Sequence, residues 1–229
     1  MTLNDLLASM ALELHDADTP AETAETIAHY AKKAVNADGA GLMVVRDGEV
    51  VTIADTSDDI ERAHQLQADF GEGPCLAALE GGDDTFLVGD TRTDGRWPKW
   101  GRAAADIGFR SVISSSLETS TRRIGSLNVY AQGVGTFDEA DAEAISWLAT
   151  HASVAIANAA EQEGLRLAMQ NRTVIGQAEG VLMQAFGIDA DQAFAYMKRL
   201  SQETNTKLSK VAADIVENSD QIGNREPAQ

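Results

Sequence analysis

A chain of 229 residues, 44% apolar and 24% charged, has room for one sensor-sized domain and a smaller one, with the composition of a soluble globular protein. Its single cysteine, Cys75, excludes an intramolecular disulfide and a cysteine-rich zinc cage, and no apolar run reaches the length of a bilayer span. The net charge of −18 is uneven: residues 1–160 hold 11 Lys+Arg against 26 Asp+Glu, a balance of −15, and residues 161–229 hold 7 against 10, a balance of −3.

The start, MTLNDLLASMALELHDAD, lacks the basic stretch of a secretory signal, so a cytoplasmic location is expected. Residues 3–14 have leucine and alanine at helical spacing, broken between Asp16 and Pro20. Residues 23–37 read as a second helix closed by Asp38-Gly39. GLMVVR and VVTIADT, joined across Asp47-Gly48, predict a β-hairpin. A helical piece over 58–67 leads into FGEGPCLAAL, whose glycines and Pro74 make a tight loop opening a short helix, 75–79. The backbone N–H groups at that helix start can receive an anion. TFLVGDT (85–91) is a strand candidate, and Pro98 starts a helix in WPKWGRAAADIG. SVISSSLE (111–118) and RIGSLNVYAQG (123–133) are strands about a basic turn. From Phe137 onward one long helical pattern runs on, interrupted only by Gly164. This order suggests an α+β sandwich: a mostly antiparallel sheet flanked by helices, which would gather on one side.

Residues 172–216 read as three short amphipathic helices that must pack on one another, because none is long enough to stand alone in water. Val174, Ala178, Val181 and Ala185 share one side of the first. Asp189 and Gln192 fit a capping box opening the second, where Ala193, Phe194, Met197 and Leu200 supply the buried face. Leu208, Val211, Ala212, Ile215 and Val216 form the stripe of the third. The stretch holds five basic and five acidic residues, so a polyanion can approach it only where the basic groups cluster. The expected division is 1–165 for the larger domain with its linker helix, 166–218 for the three-helix domain, and 219–229 for a disordered tail.

FGEGPCLAAL, DTRTDGRWPKWGRAAADIGFRSVISSSLE, RIGSLNVYA and the long helix resemble the GAF sensor domain, especially of the actinobacterial kind. Arg172, Ile175, Ala178, Gly180, Leu182-Met183, Ala193-Phe194, Leu200, Ser201, Asn205, Leu208, Val211-Ala212 and Ile215-Val216 resemble the ANTAR domain, a three-helix RNA-binding antitermination module. The two resemblances together imply a GAF–ANTAR regulator. They imply a signal received by the first domain, and binding of paired stem-loops in nascent mRNA by the second, so that a terminator hairpin does not form.

The residues suited to RNA bracket one loop: Lys198 and Arg199 before it, Asn205, Thr206, Lys207 and Lys210 in and after it. Arg172 and Tyr196 join them, Tyr196 as the exposed stacker and Phe194 as core. Lys and Arg suit phosphates, while Asn and Thr suit base edges. The plainer reading is that these charges solvate the outside of a bundle. Ile145, Leu148, Ala152, Ala155 and Ala159 step 3-4-3-4 like a helical dimer seam, or pack on the sheet; a homodimer suits paired stem-loops. Phe70, Cys75, Phe86, Trp97, Trp100 and Phe109 line a candidate pocket for a small-molecule effector, or are simply core. Cys75 is either a thiol of lowered pKa at a helix start or a small buried residue. The histidines lack metal-ligand spacing, and no G-x-S-x-G or P-loop occurs. No enzyme, cofactor or metal is therefore expected. The rival function is a protein-interaction adaptor whose helical bundle docks a partner protein without RNA.

Overall fold

The computed structural model describes residues 3–81 and 84–219. Helix α1 (Leu3–His15) leads to α2 (Pro20–Ala34), which starts earlier than the pattern from Thr23 suggests. Thr19 is its N-cap: the Thr19 hydroxyl accepts from the Glu22 N–H, and the Glu22 carboxylate accepts from the Thr19 N–H. Pro20 fits the first turn because the N–H it lacks has no partner there. Strands β1 (Gly39–Arg46) and β2 (Glu49–Asp55) form the expected hairpin, turning through Asp47 and Gly48, both at positive φ. Then come α3 (Asp58–Phe70), α4 (Pro74–Glu80), β3 (Thr85–Val88), α5 (Pro98–Asp106), β4 (Ser111–Glu118) and β5 (Arg123–Ala131). The five strands pair antiparallel in the order β2-β1-β5-β4-β3.

The helices are not gathered on one side of this sheet, as the sequence reading has it; they cover both faces. Strands β4 and β5 are buried along most of their length, and a strand buried on both faces needs a layer on each. Alternate residues of β5 divide between the layers. Leu127 and Val129 meet Leu6 and Met10 of α1, Ile27 of α2, and Ile145 and Leu148 from the next helix. On the other face Tyr130 joins Val112, Ile60 and Ala63 of α3, Ala78 of α4 and Trp100 of α5. Two segments quoted for the sensor resemblance are tied together there, since Glu72 accepts the backbone N–H of Trp100 at 2.9 Å and caps α5. Gly101 permits the close approach of the loop before α5, because a Cβ on it would lie 2.2 Å from the Thr91 carbonyl oxygen.

Helix α6 (Glu139–Phe186) runs 48 residues without a break, through Gly164 and into the first of the three expected C-terminal helices. Helices α7 (Ala190–Thr204) and α8 (Leu208–Glu217) follow. The chain divides into two compact units, 1–161 and 162–229. The second has its own core of Ala178, Leu182, Ala193, Met197, Val211, Ala212 and Ile215. Helix α7 opens on the expected box, with the Asp189 carboxylate accepting from Gln192 N at 2.8 Å and the Gln192 side chain accepting from Asp189 N at 3.1 Å. Phe194 is not core: it is 40% exposed. Ala193 and Met197 take the inward face, and residue 194 stands about 100° further round. Of the expected tail, residues 220–229 lie outside the described residues.

Candidate nucleic-acid interface and sensor core

The turn between α7 and α8 is built by its own polar groups. Asn205 takes the left-handed conformation at φ 49, as its short side chain allows. The Ser201 hydroxyl donates to the Thr206 carbonyl at 2.6 Å, and the Thr206 hydroxyl donates to the Thr204 carbonyl at 3.2 Å. Asn205 and Thr206 therefore shape the loop as well as being available on it.

Around this turn Lys198, Arg199, Lys207 and Lys210 are all exposed, and so is Arg172 on α6. Lys198 and Arg199 point about 100° apart round α7, so they serve different flanks of the helix. Arg199 lies over the Tyr196 ring at 5.5 Å and reaches Glu203 at 3.8 Å. Lys210 closes a 2.7 Å ion pair with Asp214, whose hydrogen bond and charge raise its pKa. Both ion pairs are open to water, and such pairs hold weakly enough for a phosphate to compete. Tyr196 is 38% exposed, and beside it stands Phe186, another of the few aromatics of this stretch.

In the first unit the expected pocket residues separate. Phe86, Trp97, Trp100 and Phe109 are buried in the second-face core. Trp97 meets Phe86 edge-on at 5.4 Å and Trp100 at 6.4 Å, under the Arg96 guanidinium 4.6 Å from its ring. Phe70, the last residue of α3, is 40% exposed and does not join them. Cys75 is buried against a different group of side chains, a polar row on the same face of the sheet.

That row comprises His64 and Gln67 of α3, Cys75, Ser114 of β4, and Ser126, Asn128 and Tyr130 of β5, all fully buried. Gln67 donates to the Cys75 sulfur and the Tyr130 hydroxyl, and its carbonyl accepts Cys75 N–H at 2.9 Å. Asn128 accepts from the Ser114 hydroxyl and donates toward His64 Nε2. Burial pushes the Cys75 thiol and the Tyr130 phenol up, so Cys75 is no activated thiolate. The N–H at the start of α4 is spent on Gln67 and not free for an anion. The signal for this row was present: S-x-N-x-Y over 126–130 puts three polar groups on one face of a strand whose other face is Leu127 and Val129. H-x-x-Q at 64–67 puts two more on one helix face. Among the described residues no cluster of His, Cys, Asp or Glu is arranged to hold a metal.

The seam residues also separate. Ile145, Leu148 and Ala152 are wholly buried against the domain's own sheet and unavailable to a partner helix, while Ala155 and Ala159 are half-buried. A groove of about 590 Å³ opens beside this part of α6, lined by Thr85, Leu87, Glu139, Glu143 and Ser146.

The family model described as GAF domain matches residues 17–157, more than half of the chain, and that described as ANTAR domain matches residues 163–216. The chain belongs to the GAF domain family. With its ANTAR domain it is a GAF–ANTAR regulator, joining a signal-sensing domain to an RNA-binding antitermination domain. Among solved structures, it is similar to a free methionine-R-sulfoxide reductase from Neisseria meningitidis, with 21% identity over 70% of this chain and 91% of that one, at a TM-score of 0.54. The GAF domain of a phosphoenolpyruvate-protein phosphotransferase from Coxiella burnetii is 17% identical over 71% of this chain and 96% of that one, at 0.55. Its counterpart from Acinetobacter is 14% identical over 72% and 99%, at 0.57. At these identities the likeness shows the fold alone. No curated protein matches the chain in sequence. No helix among the described residues is long and apolar enough to cross a membrane.

Proposed function

We propose that this GAF–ANTAR regulator is a cytoplasmic, signal-responsive antiterminator that binds paired stem-loops in nascent mRNA and so keeps a terminator hairpin from forming. The observation that carries the reading is the ANTAR match over residues 163–216, on a bundle with its own core and exposed basic groups flanking one ordered turn. Lys198, Lys207 and Arg172 contact phosphates, with Arg199 and Lys210 released from their carboxylates to join them, and Asn205 and Thr206 face base edges. The chain works by binding, not catalysis. Its one thiol is buried and held protonated.

The signal is a small-molecule effector of the first unit, received where Trp97, Trp100, Phe86 and Phe109 adjoin the polar row. The chain acts as a homodimer, which suits paired stem-loops. Exposed apolar side chains on α6 support pairing, Trp147 and Val154 in the first unit and Leu165 and Met169 in the second.

The test is to incubate the full chain with a pool of short structured RNAs and sequence what is retained. Tandem hairpins are expected, and the complex weighed by light scattering should hold two chains. Replacing Lys198, Lys207 and Lys210 by alanine should weaken binding at least tenfold, and the salt slope should fall by about one for each phosphate that is no longer neutralised. The zero charge balance of the bundle favours one rival, a protein-docking adaptor. Retention of no RNA under several salt conditions would overturn the RNA reading and support that rival instead.

A further inference from the structure

We propose that Phe186, Tyr196 and Arg199 form a ledge on which an unpaired base of the bound RNA stacks. The proposal rests on the RNA-binding reading above and names the groups on which a base stacks. Phe186 ends α6 and Tyr196 lies in α7, yet their ring centroids are 6.1 Å apart with a 40° tilt. The Arg199 guanidinium stands 5.5 Å from the Tyr196 ring and 3.8 Å from Glu203. Phe186 is 50% exposed and Tyr196 38%, with Met183, one helical turn before Phe186, also 38% exposed.

This surface lies outside the bundle's buried core. The bundle core is closed by Ala178, Leu182, Ala193, Met197, Val211, Ala212 and Ile215 without either ring. A helix of a small soluble bundle ordinarily turns polar residues outward; here two aromatic rings and a methionine meet water next to a cation. Their chemistry suits a nucleobase. Any base has a π-face that stacks on Tyr or Phe, and a guanidinium adds a cation–π contact and hydrogen bonds. RNA loops present such bases splayed out of the helix. The ledge draws on α6 and α7, whereas Lys207 and Lys210 belong to the start of α8. These two lysines hold the RNA backbone from a different element than the ledge, as base reading and positioning are commonly divided.

The experiment uses the full chain and two RNAs: the tandem stem-loop retained from the pool, and the same RNA made abasic at its loop nucleotides. Tyr196→Ala and Phe186→Ala should each lower affinity for the intact RNA about tenfold and leave affinity for the abasic RNA unchanged. Tyr196→Phe should keep the affinity. Lys207→Ala should weaken both RNAs alike. Both ledge side chains are exposed, and unchanged thermal melting will show that the variants fold. Equal losses on the two RNAs, or no loss on the intact one, overturn the ledge while leaving RNA binding in place. If the unsubstituted chain retains no RNA, the functional reading fails and the ledge with it.

Discussion

His64 is a histidine that the fold keeps neutral. Burial lowers its pKa to about 3, and its neighbours act in the same direction. Asn128 Nδ2 donates toward Nε2 at 3.4 Å, leaving Nδ1 to donate to the Thr52 hydroxyl at 3.1 Å. A second ring proton would point at an amide donor. Gly41 is the floor of the site, since a Cβ there would come 2.6 Å from His64 Cε1. Between the ordinary histidine value near 6.5 and the folded value, the unfolded chain takes a proton that the native state refuses. This contribution is thus intact above pH 6.5 and is lost as the pH falls toward 3, at about 1.4 kcal/mol per pH unit. Urea unfolding at pH 7 and pH 5 should show the loss in the unsubstituted chain and a shallower one in His64→Gln. Parallel losses would mean that another group titrates. The sequence showed His64 as one of four histidines without metal-ligand spacing. Its role was not legible, because its partners on β2 and β5 are brought to it only by the sheet.

Elements were legible wherever one period dominated. All five strands were marked by β-branched runs between turn residues, and α8 by an apolar stripe at helical spacing. Two capping boxes show where reading failed and why. Asp189 with Gln192 stands in front of an apolar run and was plain. Thr19 with Glu22 encloses Pro20, which reads as a breaker unless it is recognised as a first-turn proline. The one-sided placement of helices failed because which face of a strand is buried depends on elements distant in sequence. Helix α6 was legible but for its glycines. Gly164, Gly176 and Gly180 are exposed helical residues with nothing within 4 Å of a would-be Cβ. Alanine at Gly164 should therefore stabilise the chain by about 0.5–1 kcal/mol, through helix propensity alone. Thermal or urea unfolding measures it. A destabilised Gly164→Ala variant would show that the helix bends at this residue and needs its freedom.

For the whole molecule, charge decides how RNA can be bound. The balance of −15 over residues 1–160 disfavours a polyanion at that unit, whereas the bundle is neutral, and both balances are legible from composition alone. What composition could not show is that two of the five candidate basic groups are already engaged, Arg199 with Glu203 and Lys210 with Asp214. The neutralised phosphates should then number about three to five, giving a slope of roughly −2 to −4 in log affinity against log salt. The acidic body adds an opposing trend. Its repulsion reaches about 30 Å at 0.01 M salt but only about 10 Å at 0.1 M. Affinity should follow the slope at moderate salt and level off below about 0.05 M, where a protein with a basic body would go on gaining. A titration of the retained tandem stem-loop across that range measures both features. A straight line steeper than about −6 would mean that many more cations meet the RNA than this bundle presents, and the contact face would have to be sought beyond the α7–α8 turn.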